Sequence, residues 1–277
     1  MATPLPHAEA RALASADIDT AWPTVALCGA VLGLTAATAL GAVHLHWPTA
    51  VVVALLTLAS YAMFTVMHEA VHGSVFRRRP WANALIGTLA SPFMGPTASY
   101  TAYRTLHLQH HRHTNDPRTD PDHYSGAGPA WWLPLAWLTT DLHYYVCYLK
   151  LARTRPWTEA VRVTAENAAL FGLLAALVWH GWAMEALWYW VLPSRLSTAL
   201  LAWGFNYLPH SPYACLAEDD PYRATRTVWP HSRLATVLLQ AHNFHQVHHL
   251  YPGIPFYRYA RLWRQCAPEL QTRGQRP

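Results

Sequence analysis

The stretch that decides the fold is Pro48–His72, PTAVVVALLTLASYAMFTVMHEAVH, which joins an uncharged apolar segment directly to the motif HEAVH. Pro48 to Met67 is long enough to cross a bilayer, which takes about 20 apolar residues. His68 and His72 lie four residues apart, so a continuing helix places both imidazoles on one face, about one turn beyond the membrane. Arg77-Arg78-Arg79 follows at once, and this positive charge predicts a cytoplasmic location for that end.

Two further histidine clusters repeat this chemistry, His107-Leu-Gln-His110-His111 and His245-Gln-Val-His248-His249. Spacings of i, i+3 and i, i+4 again gather imidazoles on one side of a helix. The eight clustered imidazoles exceed the three protein ligands of a catalytic zinc site. Eight imidazoles could instead fill the inner shells of two metal ions, so the clusters predict a dinuclear site. Neutral imidazole suits iron and copper as well as zinc. Buried histidines without a metal are the weaker interpretation, since packing does not require three such clusters.

Composition places the rest of the chain in a membrane. The 277 residues are 52% hydrophobic and 13% charged, whereas an ordinary soluble domain is about 25% charged. Fourteen tryptophans and fourteen tyrosines suit membrane–water interfaces. The four cysteines are far apart and form no CxxC, which argues against a disulfide framework and leaves nitrogen as the metal ligand. The pI near 9.1 favours a positive cytoplasmic membrane face rather than nucleic-acid binding.

Segment lengths predict an all-α integral membrane protein with four transmembrane helices and a cytosolic, histidine-rich cap. The predicted organisation is an N-terminal tail, 1–22, and one domain, 23–277, with spans at 23–43, 48–67, 164–180 and 188–208. The loops 44–47 and 181–187 contain no Lys or Arg, so both hairpins return the chain to the side that carries all three clusters. No organelle-targeting segment is visible, which favours a bacterial inner membrane with the site on the cytoplasmic side.

Several segments carry narrower predictions. Residues 81–103 are interpreted as an interfacial or re-entrant piece, and 131–150 as an amphipathic interfacial helix. Residues 211–277 are polar and carry eight arginines. Gly29-x-x-x-Gly33 predicts a close helix-packing surface in the first span. Arg195 interrupts the fourth span, and we expect its side chain to reach the outer membrane surface.

Other polar residues divide between the site and its surroundings. Asn206 and His210, four residues apart at the end of the fourth span, either terminate that helix or join the site. His242 is a candidate for orienting a metal-binding imidazole, and the acids of loop 115–122 are candidates for accepting imidazole N–H bonds. His113 points away from the rest of its cluster and is predicted to lie outside the site.

The three clusters resemble the histidine boxes of the membrane fatty-acid desaturase and hydroxylase superfamily, over about residues 60–260. The strings HLQHHRHTNDPRTDPDHY, NYLPHSPY and NFHQVHHLYPGIPFYRY look most like desaturase-type carotenoid β-ring hydroxylases. The resemblance implies four transmembrane helices beneath a cytosolic di-iron cap. Its N-x-x-x-H element adds His210 as a ligand, with Asn206 acting through water. The implied iron ligands are His68, His72, His107, His110, His111, His210, His245, His248 and His249.

The activity implied by the resemblance is O2-dependent oxidation of C–H bonds in a lipid-soluble substrate, with hydroxylation of carotenoid β-rings as the leading candidate. Hydroxylation and desaturation share their first hydrogen abstraction, so substrate position chooses between them. A fatty-acyl desaturase or hydroxylase is the close alternative. The sequence has no four-cysteine iron–sulfur spacing and no cytochrome-like segment. We therefore expect a separate electron donor such as ferredoxin, steered by the arginine-rich face.

Two other classes remain. His68-Glu69-x-x-His72 matches the H-E-x-x-H pattern of zinc proteases, in which the glutamate is the general base. An intramembrane protease would not need the two further clusters on the same side of the membrane. A non-catalytic metal-binding or transport protein would carry more ionisable residues within the spans.

Overall fold

The computed structural model describes residues 18–274, so most of the predicted tail 1–22 lies outside the described residues. Within that range the fold is helical, and no strand is present. In chain order the helices are α1 (Trp22–His44), α2 (Thr49–Val71), α3 (Pro80–Ala90), α4 (Tyr100–Arg112), α5 (Leu133–Leu138), α6 (Thr140–Ala152), α7 (Trp157–Trp179), α8 (Ala183–Ala186), α9 (Leu192–Leu201), α10 (Leu208–His210), α11 (Arg233–Leu238), α12 (His245–Leu250) and α13 (Tyr259–Gly274).

Three of these helices are long and apolar enough to cross a membrane, with mean hydropathies of 1.9 for α1, 2.1 for α2 and 1.5 for α7. They cover the first three predicted spans except for Pro48 and His180, which lie one residue outside the helices. Half of the apolar window of α2 is buried, against 17% for α1 and 11% for α7. The helix α2 therefore forms the centre of the bundle, where it packs against α1, α3 and α9. Its buried methionines and valines hold the histidines at its end in a fixed position.

The fourth predicted span, 188–208, is occupied by a helical run from α8 to α10. Two π-helical segments, Leu187–Val191 and Ala202–Tyr207, interrupt this run. A π-helical segment widens the helix locally and often occurs at functional sites. The second of these segments lies directly before His210 and contains Asn206.

Arg195 has a partner within the protein that the sequence analysis did not predict, and its position relative to the outer membrane surface stays a prediction. The guanidinium forms an ion pair with Asp141 on α6, and Nη2 lies 3.3 Å from Thr97 Oγ1. The side chains of Arg195 and Asp141 are 22% and 19% exposed. A partly buried charge is stabilised by a partner of opposite sign. Sequence reasoning missed the pair because Asp141 had been assigned to an interfacial helix.

The prediction of a close packing surface at Gly29 and Gly33 is wrong within the described chain. A Cβ atom added at either position would meet nothing within 4 Å. Close packing occurs instead at Gly87 of α3, where an added Cβ would lie 2.1 Å from the Tyr100 ring. The Tyr100 hydroxyl donates to the Ala70 carbonyl at 3.0 Å. This contact brings the start of α4 against the end of α2, and so brings the first two histidine clusters together.

Candidate metal centre

All nine predicted histidines converge in the structure, in two adjacent groups. Within each group one ligand atom of every member lies within 4.8 Å of the others. The five-histidine group consists of His68, His72, His107, His111 and His248. The four-histidine group consists of His110, His210, His245 and His249.

Two carboxylates on α7 fix the helix that carries the second cluster. Glu166 accepts hydrogen bonds from the Ser99 hydroxyl, the Thr101 backbone N–H (3.0 Å) and the Thr101 hydroxyl (2.6 Å). These groups form the first turn of α4, where a negative charge is favourable. One turn further along, Glu159 accepts from the Thr105 hydroxyl at 3.0 Å. These hydrogen bonds to α7 thereby fix the position of α4 and of the histidines that it carries.

Ring nitrogens crowd together in the five-histidine group. His248 Nε2 lies 3.1 Å from His68 Nε2 and 2.9 Å from His111 Nε2. His107 Nε2 lies 2.9 Å from His72 Nε2 and 3.2 Å from His111 Nε2. A neutral imidazole has one N–H, which must serve either an inward or an outward contact. The outward contacts therefore decide which nitrogens face the centre as lone pairs.

Hydrogen bonds on the outer side of the five-histidine group assign the inward lone pair of His68. The Gln240 carbonyl can only accept, so His242 Nδ1–H donates to it at 3.1 Å. His242 Nε2 is then an acceptor, and His68 Nδ1–H donates to it at 3.4 Å. His68 Nε2 is left with a lone pair toward the group. On the far side His248 Nδ1 contacts the Tyr259 hydroxyl at 2.8 Å. Such outer contacts orient metal-binding imidazoles.

The same logic assigns His210 in the four-histidine group. Both amide hydrogens of Asn115 are used, by the carbonyls of Cys215 at 2.8 Å and Ala224 at 2.7 Å. The oxygen Oδ1 therefore faces His210, whose Nδ1–H donates to it at 3.2 Å. His210 Nε2 is buried and has no hydrogen-bond partner among the described residues. A buried lone pair without a partner costs free energy unless a cation or a donor satisfies it.

His110 completes the pattern through the predicted acidic loop. His110 Nδ1–H donates to Asp120 Oδ1 at 2.8 Å, and Asp122 Oδ2 lies 3.7 Å away. The opposite nitrogen, Nε2, faces His249 Nε2 at 3.2 Å. Burial alone would lower the pKa of His110, but the two carboxylates outweigh it and raise the pKa to about 9. The prediction that loop acids accept imidazole N–H bonds is confirmed for Asp120.

The other histidines of the two groups that lie outside the spans have lowered pKa values, which favour the neutral imidazole. Burial, reinforced by neighbouring histidines, lowers the pKa of His72 to about 3. The same causes place the pKa well below its ordinary value for His107, His111, His210, His245, His248 and His249. Neutral imidazole is the form that binds a metal ion. The donor set of both groups thus fits divalent transition metals that accept nitrogen ligands, with His110 giving up a proton when a cation binds.

A cavity of about 980 Å³, its open mouth included, reaches the histidines from the apolar interior. Its walls are mainly apolar and aromatic, with Phe64, Met94, Leu106 and Leu201 among them. At one end it meets the two histidine groups, and at another it is bordered by Thr97, Asp141 and Thr198. Small-molecule sites in proteins commonly have apolar and aromatic walls with a few polar groups. The cavity suits a lipid-soluble molecule that presents one end to the histidines.

Comparison with known proteins agrees with this geometry. The family model for fatty acid desaturases matches residues 42–276. This chain belongs to the fatty acid desaturase family. It is 28% identical over 222 residues to a beta-carotene ketolase of Paracoccus sp. (strain N81106 / MBIC 01143), covering 79% of this chain and 77% of the ketolase.

Two desaturases are similar to this chain to a comparable degree. The dihydrorhizobitoxine desaturase of Bradyrhizobium elkanii is 26% identical over 229 residues, covering 74% of this chain and 64% of that enzyme. The sn-1 oleoyl-lipid 12-desaturase of Picosynechococcus sp. (strain ATCC 27264 / PCC 7002 / PR-6) is 27% identical over 231 residues, covering 72% and 63%. The chain is therefore an oxidoreductase of a family that contains carotenoid- and lipid-modifying members.

Glu69, the second residue of the HEAVH motif, does not face the two histidine groups. Its carboxylate accepts from the Thr24 hydroxyl at 3.1 Å and from the Phe256 backbone N–H at 2.9 Å. It therefore connects α1, α2 and the segment after the third cluster. A general base has to reach the proton that it removes. This arrangement gives Glu69 a structural role and takes away the observation that favoured a zinc protease.

Two predicted residues remain, and two further residues were not predicted. His113 lies outside both groups, as predicted, and contacts Glu218 Oε1 at 3.0 Å. Asn206 borders the cavity, and its Nδ2 lies 3.4 Å from Ser125 Oγ; its role through water stays a prediction. Asn115 and Tyr259 were missed as orienting residues. Both lie in the quoted strings that carry the family resemblance, beside the second and third clusters, but no spacing rule singles them out.

Proposed function

We propose that this protein is an O2-dependent di-iron oxidoreductase that oxidises a C–H bond of a carotenoid β-ring. The observation that carries the proposal is the pair of adjacent imidazole groups at one end of an apolar cavity. The unpartnered Nε2 of His210 and the outward N–H bonds of His68 and His110 support nitrogen ligation of two cations. Two irons held there would supply O2 activation and the oxidant for hydrogen abstraction.

The chain's own part is to bind, orient and protect. The aromatic wall formed by Phe64, Tyr103 and Phe205 would hold the apolar β-ring against the histidines. The apolar cavity excludes water from the reacting carbon. Misplacement of a reacting atom by about 1 Å can cost about a hundredfold in rate. The shape of the cavity therefore selects the ring position that is oxidised.

The product that we propose is first an alcohol. One O2 and two electrons with two protons convert a C–H bond to C–OH and release water. A second hydroxylation at the same carbon gives a geminal diol, which loses water to form a ketone. The ketolases among the relatives favour this second step, whereas the resemblance of the flanking strings favours an alcohol. The likeness to an oleoyl-lipid desaturase keeps acyl-chain oxidation as the second candidate.

We further propose a membrane arrangement and an electron donor. Four spans, with the run 188–208 as the fourth, would place the histidines at the cytoplasmic face of a bacterial inner membrane. Arg77-Arg78-Arg79 and Arg104 lie on that side and would attract an acidic ferredoxin. Because exposed charges are screened over about 8 Å at physiological salt, turnover with ferredoxin should fall steeply with ionic strength. A flat salt response would contradict this part of the proposal.

The experiment is expression in a bacterium that accumulates β-carotene, followed by mass spectrometry of carotenoids and fatty acids from the same extract. His248→Ala should abolish new products and lower bound iron, whereas His113→Ala, outside both groups, should change neither. Carotenoids that gain oxygen only with the active chain would support the ring oxidase, and loss of two hydrogens with each oxygen identifies the ketone. Unchanged carotenoids beside altered acyl chains would overturn the carotenoid assignment. Full activity in His248→Ala would overturn the ligand assignment.

A further inference from the structure

We infer that α11 is a re-entrant membrane segment whose exposed face contacts the acyl chains of the bilayer. This inference concerns Arg233–Leu238 and does not depend on the substrate or the metal. Sequence analysis had placed residues 211–277 in a polar region outside the membrane. The structure instead folds one part of that region down along α2.

Three contacts show the path of the chain. The Tyr61 hydroxyl donates to the Leu238 carbonyl at 2.8 Å, the Thr65 hydroxyl donates to Gln240 Oε1, and His68 Nδ1 contacts His242 Nε2 at 3.4 Å. The positions on α2 rise from 61 through 65 to 68, and the partners rise from 238 through 240 to 242. Residues 238–242 therefore run beside α2 toward the metal-binding histidines. The helix α11 comes immediately before them, and the Ala241 backbone N–H donates to the Thr236 carbonyl at 2.7 Å. The helix therefore runs down beside residues 238–242, and Leu238 is the end that reaches the level of Tyr61.

The height of Tyr61 lies well inside the membrane. The helix α2 covers Thr49–Val71 and is the most apolar of the three candidate spans. At 1.5 Å per residue, Tyr61 is about 18 Å from the start of α2 and about 15 Å from its end. The predicted span 48–67 matches a hydrocarbon core about 30 Å thick, so Tyr61 lies about 9 Å below the cytoplasmic boundary of that core. The Leu238 carbonyl is hydrogen-bonded there, so the backbone of α11 is anchored below the headgroups.

The outer face of α11 has the chemistry of a lipid contact. Leu234, Val237 and Leu238 are 68%, 73% and 60% exposed, respectively. They lie at i, i+3 and i+4, on one side of the helix. Arg233, its one charged residue, occupies the end opposite Leu238, from which a long side chain can extend toward the headgroups. Trp229, 53% exposed, precedes the helix and suits the interface itself.

Lipid is a better occupant of this face than a second protein. A stable protein interface buries about 800 Å² on each partner, and three side chains on a six-residue helix fall far short of that. Nothing polar is presented on the face for a partner to recognise. Exposed apolar side chains at hydrocarbon depth, in contrast, are the normal surface of a membrane protein.

The test measures the depth of α11 in the full-length protein, reconstituted in lipid vesicles. Val237→Cys is labelled with an environment-sensitive fluorophore, with Leu234→Cys as a second reporter on the same face. Leu58→Cys, on the exposed side of α2, is the control for the hydrocarbon layer. Arg118→Cys, in the polar loop, replaces a side chain that is 88% exposed and is the control for water. The unsubstituted chain, labelled in parallel, corrects for reaction at its four cysteines.

Vesicles that contain acyl-chain doxyl lipid should quench the Val237→Cys label as strongly as the Leu58→Cys label, and aqueous iodide should quench neither. The Arg118→Cys label should show the reverse. Iodide quenching of both α11 reporters at the level of Arg118→Cys would place the helix in water and overturn the inference. Protection from both quenchers would mean that a protein surface covers α11, and would overturn it equally.

Discussion

Asn115 offers the sharpest test of how neighbouring side chains orient the histidines of the proposed metal site. Asn115→Asp and Asn115→Gly both remove the amide donors to the carbonyls of Cys215 and Ala224. Each buried carbonyl left without a partner costs about 1–3 kcal/mol, so both variants should lose about 2–6 kcal/mol of unfolding free energy. Both tolerate the left-handed backbone at this position, φ 70°. Only aspartate keeps an oxygen that accepts from His210 Nδ1–H.

The two variants should differ in metal binding. Asn115→Asp also buries a carboxylate oxygen against the two carbonyls, so it should be the less stable of the two. Asn115→Gly frees the His210 imidazole to rotate or to change tautomer, and loss of such an orienting partner typically weakens metal affinity about 10–100-fold. Asn115→Asp should keep the affinity of the original chain. Iron titration of the purified protein in detergent, beside thermal unfolding of the iron-free form, measures both quantities. Equal loss of iron affinity in the two variants would refute the orienting role of Asn115.

Three further predictions follow from individual contacts. Arg195→Leu alone should lower the unfolding free energy by about 3–5 kcal/mol, while the double variant with Asp141→Leu should recover most of the loss in denaturation experiments. Gly87→Ala should destabilise the protein by about 1–3 kcal/mol through overpacking, whereas Gly172→Ala, which meets nothing within 4 Å, should not. His110 has a raised pKa, so its contribution to the stability of the iron-free chain is full below pH 6.5 and is lost as pH rises through about 9. Thermal unfolding between pH 6 and pH 10 checks that sign.

The sequence was sufficient to predict the apolar helices and the histidines, because both depend on local periodicity. Spans need about 20 apolar residues, and α1, α2 and α7 meet that requirement without reference to the rest of the fold. The ion pair of Arg195 with Asp141 joins residues 54 positions apart, and no local pattern specifies such a partner.

Backbone conformation explains a second failure. Gln240 and Ala241 both have positive φ angles, 47° and 62°. This region is uncommon for residues other than glycine, and asparagine or aspartate are its usual occupants. A sequence method therefore expects no sharp turn at Gln240-Ala241. The turn is what carries the chain from α11 into the third cluster and places His242 beside His68, and it persists because surrounding contacts determine it.

The division of the histidines into two groups follows from helical geometry once the fold is known. Every i, i+4 pair stays within one group: His68 with His72, His107 with His111, and His245 with His249. Four residues advance a helix by about 40° past a full turn, so the two imidazoles share a direction. The middle member of each HxxHH cluster lies about 100° from its immediate neighbour and faces the other group. His110 thus joins the third cluster's pair, and His248 joins the second cluster's pair.

This crossing also accounts for His210. Each HxxHH helix gives two imidazoles to one group and one to the other, which would leave the groups with three each. The first cluster then adds its i, i+4 pair to the group of His107, and nothing equivalent reaches the group of His245. One histidine from the end of the α8–α10 run fills that side, held by Asn115 with its Nε2 facing inward. A chain with only three histidine clusters would leave the second group one ligand poorer, so His210→Ala should reduce iron in that group alone and bring the content from about two ions toward one per chain.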